Sequence, residues 1–316
     1  MATEGGTRAV VAALLANTGI ALTKFLAFAL TQSSSMLAEA IHSVADSGNQ
    51  LLLLLGGRKA RKDATPEHPF GYGRERYIYG FIVAVVLFSV GGLFALYEAY
   101  HKWHEVHDHP GDLGELDGRW WWVPLVVLVA AIVMESFSFR TAIRESNQVR
   151  GDASWVQFVR RAKAPELPVI LLEDLAALTG LMFALFGVGL TLITKEPIFD
   201  VIGTALIGLL LVSVAVVLAL ETKSLLLGEA ANPEAQERIR NAIEGTDGID
   251  GVIHMKTLHL GPDELLVAVK VAVSPTDSAA EVAVAIDAAE VAIRDVEPAS
   301  RVIYLEPDIR RTQQPV

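Results

Sequence analysis

Long apolar blocks separated by short polar stretches fill the first three quarters of the chain. An α-helix needs about 20 apolar residues to cross roughly 30 Å of hydrocarbon. Six blocks meet that need and predict spanning helices over residues 8–31, 35–57, 76–100, 120–143, 168–194 and 198–221. The pattern changes after "ETKSLLLGEAANPEAQ". Asn232-Pro233 starts an amphipathic helix, "PEAQERIRNAIEG", which Gly245 ends. Two alternating stretches, "GVIHMKTLHL" and "ELLVAVKVAV", flank the turn "GPDE" as paired strands do. A second amphipathic helix, about 278–295, and a last strand, "SRVIYLEP", complete an α-β-β-α-β order. The expected fold class is an α-helical membrane protein with six transmembrane helices and a small α+β, ferredoxin-like C-terminal domain. The division falls between 1–228 and 229–316.

Composition supports a chain that lives in lipid. Of 316 residues, 52% are hydrophobic and 20% charged, with a mean hydropathy of +0.40. The start, "MATEGGTRAVVAALL", lacks the basic region and cleavage site of a secretory signal, so 8–31 reads as a retained span. Cysteine is absent, which excludes disulfides and thiolate metal sites. Residues 229–316 carry 16 acidic and 8 basic side chains, so −8 of the net −11 lies in the tail. That balance argues against nucleic acid and anionic headgroups as partners.

Loop cations set an expected orientation. Arg58, Lys59, Arg61, Lys62, Arg74 and Arg76 cluster between spans two and three. Arg144, Arg150, Arg160, Arg161 and Lys163 cluster between spans four and five. The opposite loops hold few, so the positive-inside rule puts both termini in the cytoplasm. Lys24, near the outer end of span one, is expected to snorkel to the interface.

One segment defies the apolar pattern. In "SSSMLAEAIHSVADSGNQLLLLLGG", Glu39, His42, Asp46 and Asn49 are spaced three, four and three apart, forming one helical stripe. A charge at mid-bilayer costs roughly 2.5–3.5 kcal/mol on insertion scales, so the stripe must face protein, water or an ion. Span five repeats the anomaly with Glu173 and Asp174, span four adds Glu135, and span one adds Asn17. His42 and Asp46, one turn apart, can both reach one divalent cation, and a span-five carboxylate can supply a third ligand. A polar network that only packs helices is the competing reading. The outward segment "HKWHEVHDHPGD", with His101, His104, His107 and His109, is either an ion catch or a solvated loop.

These residues give the chain its family likeness. HxxxD in the second of six spans, acids in the fifth, "HPFGYGRERY" in the basic loop and an α-β-β-α-β tail resemble the cation diffusion facilitators. The strings "SSSMLAEAIHSVADSGNQ" and "VILLEDLAALTG" are most similar to the zinc-transporter-nine-like branch. The resemblance implies a homodimeric, proton-coupled exporter of Zn²⁺ or a similar divalent ion from the cytoplasm; the Ala/Val/Asp-rich, cysteine-free composition is compatible with an inner, plasma-type membrane, whereas the branch's eukaryotic members are organellar. It implies a transport domain in 1–228 and a dimerisation or regulatory domain in 229–316. Its metal site would comprise His42, Asp46 and Asp174, with Gly180 six residues beyond as the family pattern has it. Many relatives carry His where this chain has Ile170, so Glu173 is the substitute. The fourth ligand stays open among Glu173, Asn17, Glu39 and water, with Asn49 and Glu135 as auxiliary candidates. One His with several oxygens suits Mn²⁺ or Fe²⁺, and Co²⁺ by extension, as well as Zn²⁺. The accessory positions read Tyr72, Tyr304 and Glu306, which depart from a ligating pattern, while His68 keeps its loop position. His254 and His259, five apart on a strand, fall on opposite faces. No HExxH or GxSxG motif and no GxGD-type context appears, so an enzyme is not expected. A metal sensor or scaffold that does not transport is the alternative.

Overall fold

The computed structural model describes residues 2–31, 34–109, 111, 113 and 118–310; the side chains of 2–6, 31, 34–39, 41 and 42 also lie outside the description. By internal contacts the chain forms two units, one of 1–59 with 76–223 and one of 60–75 with 224–316. Segment 60–75 thus belongs with the C-terminal residues.

The first unit is helical. It comprises α1 (Ala2–Thr31), α2 (Ser34–Lys59), α3 (Glu75–Val86), α4 (Phe94–Asp108), α5 (Val123–Arg150), a short α6 (Trp155–Arg161), α7 (Glu166–Thr194) and α8 (Ile198–Leu227). A π-helical segment, Leu87–Leu93, joins α3 to α4 without a break. Five helical stretches are long and apolar enough to cross a membrane: Thr7–Leu30, Glu75–Asp108, Val123–Arg150, Glu166–Thr194 and Ile198–Leu227. The sixth, α2, has 26 residues, or about 39 Å of helix, but its polar stripe lowers its hydropathy. Leu15, Leu26, Phe137, Phe186 and Ile193 are strongly exposed, as lipid-facing side chains are. The chain is a multi-pass integral membrane protein.

Helices α1, α2, α5 and α7 pack on one another around α1, and α5 meets α7 directly. Small residues let α7 and α8 touch: a Cβ at Gly187 would lie 3.0 Å from the Phe199 carbonyl, and one at Gly203 would lie 3.0 Å from that of Phe183. Arg76, in the first turn of α3, is buried and pairs with Glu166 at the start of α7. Its Nε donates to Oε1 and its Nη2 to Oε2, the latter at 2.7 Å. Arg76 therefore serves as a buried structural cation rather than a loop charge. Short α6 escapes prediction because its signal is local: Ser154 caps it and Gln157 returns the bond, a capping box.

The second unit contains α9 (Pro233–Glu244), β1 (Gly251–Gly261), β2 (Glu264–Ala272), α10 (Ala279–Val296) and β3 (Val302–Asp308). β1 pairs antiparallel with β2, and β2 parallel with β3 across the α10 connection. Period two is visible in β2, where Leu265, Val267, Val269 and Val271 are buried against Ile239, Ile243, Ala289 and Ile293. Asn232 caps α9 by accepting from Ala235 N at 2.7 Å, as its sequence predicts. Segment 60–75 reaches the β1–β2 turn through a glycine pair: a Cβ on Gly73 would sit 3.0 Å from Gly261 Cα.

Two predictions follow from these contacts. Glu166→Ala strands a buried guanidinium and should destabilise the protein by about 3–5 kcal/mol, whereas Arg76→Met with Glu166→Leu should recover most of that loss. Thermal unfolding of the detergent-solubilised chain measures both. In α10, the Ser278 backbone N–H donates to Glu281 and holds its carboxyl below the ordinary carboxylate value. A depressed value gives stabilisation that is present above the unfolded-state value and lost as pH falls through the folded one. Glu281→Gln should weaken α10 at neutral pH and remove that acid-side loss, which unfolding curves taken from neutral pH down through the carboxylate range will report.

Candidate functional site

The α-helical repeat brings the polar residues of four helices to one buried region. On α2, Asp46 is half-buried, and Asn49 and Gln50 are buried. On α7, Glu173 and Asp174 are buried, as is Glu135 on α5. Adjacent residues on a helix project about 100° apart, so Glu173 and Asp174 engage different neighbours. Glu173 turns to α2: Asn49 Nδ2 donates to its Oε1 at 3.0 Å and Gln50 Nε2 to its Oε2 at 3.2 Å. Asp174 turns to α5, where Ser138 Oγ donates to its Oδ2 at 2.7 Å. Asn17 on α1 extends the network by donating to Gln50 Oε1 at 3.4 Å.

The carboxyl groups of Asp46, Glu135, Glu173 and Asp174 lie within electrostatic range of one another. Neutral amides hold Glu173 and a hydroxyl holds Asp174, and these donors supply no positive charge. Such a region demands cations or protons from elsewhere. Lys24 contributes: it is buried and donates to Ser43 Oγ at 3.0 Å, within range of Glu135. The snorkelling expected of Lys24 is therefore corrected, because α2 offers it a partner that the sequence of α1 alone does not reveal.

Glu39 and His42 lie on α2, on the expected stripe, but their side chains fall outside the description. Among the described residues, no three His, Asp or Glu side chains group closely enough to hold a metal ion. The hydrogen bonds explain why: Glu173 has both oxygens drawn to the α2 amides, and Asp174 has one drawn to Ser138. In this region Asn49 Oδ1 and Asp174 Oδ1 are buried and have no hydrogen-bond partner among the described residues. Sequence reading missed Gln50 and Ser138 as partners. Gln50 was visible as an excess polar residue beside the stripe, whereas a serine in an apolar helix carries no such signal.

Other candidate ligands are spread apart. His68 stacks edge-on with Tyr72, ring centroids 4.7 Å apart. His254 is exposed and His259 buried, in keeping with opposite strand faces. Tyr304 is exposed on β3, and Glu306 pairs with Lys270 at 3.0 Å. His101, His104 and His107 line exposed α4, where each packs against a Tyr or Trp ring.

Comparison with known proteins places these features in context. The model of the cation efflux transmembrane domain matches residues 10–227. The mitochondrial proton-coupled zinc antiporter SLC30A9 of Mus musculus is 32% identical over 261 residues, covering 82% of this chain and 44% of that protein. Metal tolerance protein C4 of Arabidopsis thaliana is 28% identical over 258 residues, covering 81% of this chain and 54% of that one. The chain thus spans about half the length of the curated relatives it matches. A solved variant of the MamM C-terminal domain aligns at 23% identity with a TM-score of 0.24, covering 25% of this chain and 93% of that chain. With the family model matched over more than half its length and carboxylates buried among its spans, the chain belongs to the cation efflux family, the cation diffusion facilitators, whose members are membrane transporters and not enzymes.

Proposed function

We propose that the chain exports a divalent cation, Zn²⁺ first, by exchange with protons. The carrying observation is that half-buried Asp46 and buried Glu135, Glu173 and Asp174 lie near one another inside the helical unit, the last two held by neutral donors. A relative named as a proton-coupled zinc antiporter supports both the cargo and the counter-ion. His42 and Asp46 on α2, with Asp174 on α7, form the proposed metal site, and Glu173 lies at its edge against the α2 amides. The mixed nitrogen and oxygen set also accommodates Mn²⁺, Fe²⁺ or Co²⁺.

The chemistry of exchange follows from the ligands. A cation binds carboxylates and a neutral imidazole, and protons bind the same groups, so each displaces the other. Either occupant neutralises acids that lipid surroundings would otherwise penalise. Rocking of the helices around the bound ion then exposes the site to alternate sides, as transporters do. Residues 1–228 carry this task. Residues 229–316 serve as a dimerisation and regulatory domain of a homodimer. Loop cations support a bilayer placement with both termini cytoplasmic, and the chain is assigned to an inner, plasma-type membrane.

Metal-dependent proton flux in proteoliposomes tests the reading. Asp46→Ala should abolish both the metal and the proton flux, and His42→Asp should change which metal is preferred. Intact fluxes in Asp46→Ala would overturn the transport site. Metal binding without flux in the unaltered protein would instead favour a sensor.

A further inference from the structure

We infer that Asn49 is an oxygen ligand for the transported cation and that Glu173 orients Asn49 rather than gripping the cation itself. This rests on the transport reading above, since it concerns the same buried region. A carboxylate only accepts hydrogen bonds, and an amide donates only through its nitrogen. Because Glu173 Oε1 accepts from Asn49 Nδ2 at 3.0 Å, the Asn49 amide has one orientation, with Oδ1 turned away from Glu173. The Gln50 amide is fixed in the same way by Glu173 Oε2, and its own oxygen is used by Asn17. Glu173 therefore has both oxygens engaged by amides.

Asn49 differs from Gln50 in one respect. Among the described residues its Oδ1 has no hydrogen-bond partner, although Asn49 is 1% exposed. A buried acceptor left without a partner is costly, so such an oxygen asks for a function. Asn49 sits three residues after Asp46 and shares its face of α2. Across on α7, Asp174 is also 1% exposed and has one committed oxygen and one, Oδ1, without a partner. Asp46 is within electrostatic range of Asp174. One amide oxygen from α2 and one carboxylate oxygen from α7 thus remain for a cation that Asp46 also attracts.

The chemistry of an amide oxygen suits an exchanger. It is a hard, neutral donor that adds no charge and takes up no proton in the physiological range. It shifts the site toward oxygen-preferring ions relative to a second imidazole. Outer partners that fix a metal ligand's orientation normally matter nearly as much as the ligand. Glu173→Gln replaces one acceptor by a donor, which forces an α2 amide to reverse. Asn49→Cys places a thiolate donor in a chain that has no other cysteine.

Full-length protein in proteoliposomes, with Zn²⁺, Mn²⁺ and Cd²⁺ as separate probes, decides the matter. Asn49→Cys should raise the Cd²⁺-to-Mn²⁺ ratio of kcat/KM on the order of tenfold, since soft thiolates favour soft ions. Asn49→Asp, which keeps an oxygen, should retain Zn²⁺ transport. Glu173→Gln should raise the KM for Zn²⁺ by on the order of 10- to 100-fold, the usual effect of losing an orienting partner. If Asn49→Cys fails to transport, Cd²⁺ titrated into the purified full-length variant should still give a cadmium–thiolate charge-transfer band. Absence of that band, or an unchanged ratio in a transporting variant, overturns the inference. Loss of flux in Asp46→Ala beside a wild-type ratio in Asn49→Cys defeats the Asn49 assignment alone. Retained flux in Asp46→Ala defeats the transport site beneath it.

Discussion

The whole molecule answers to the difficulty of keeping negative charge away from water. Asp46, Glu135, Glu173 and Asp174 crowd the interior of a helical unit whose outer faces are apolar. The partners of Glu173 and Asp174 are amides and a hydroxyl, which stabilise a carboxylate without cancelling its charge. Glu166 shows the opposite solution. It is clamped by both arms of Arg76, a bond with no easy alternative once the guanidinium is buried. The protein thus uses a permanent cation where α3 joins α7 and neutral donors around Glu173 and Asp174.

That contrast clarifies why two adjacent acids on α7 need not share a task. Helical geometry sends their side chains to different helices, one to α2 and one to α5. The pairing of Glu173 with two amides makes it the centre of a small network that also recruits Asn17 from α1. Three helices are tied through one carboxylate, so the polar groups that locate the site also hold the bundle together.

Much of this was legible from residue order, and the exceptions have a common cause. The stripe at Asp46 and Asn49, the six long helices, the Asn232 cap and the alternation in β2 are all local signals within one element. What escaped notice depends on partners distant in sequence. Arg76 finds Glu166 ninety positions away, and Lys24 finds Ser43 across a helix pair. Each reads from its own surroundings as an interfacial or loop cation, because nothing nearby in the chain retains it. Ser138 is another case, since only the approach of α7 gives its hydroxyl a purpose. Segment 60–75 reads as a linker until Gly73 meets Gly261.

The π-wound stretch Leu87–Leu93 interrupts a helix that residue order would draw as uniform. Bonds there skip one residue further than in an α-helix, which puts α3 and α4 out of step with each other. The loosened turn also lets Gly92 approach Val212 on α8, where an added Cβ would lie 2.6 Å from the valine side chain. Loss of one residue in this turn would close it as ordinary α-helix and leave α4 near its present bearing, whereas a loss elsewhere in Glu75–Asp108 would turn His101, His104 and His107 by about 100° relative to α3. The wide turn thus gives this helix one place where its length can change in evolution while both halves keep their seats.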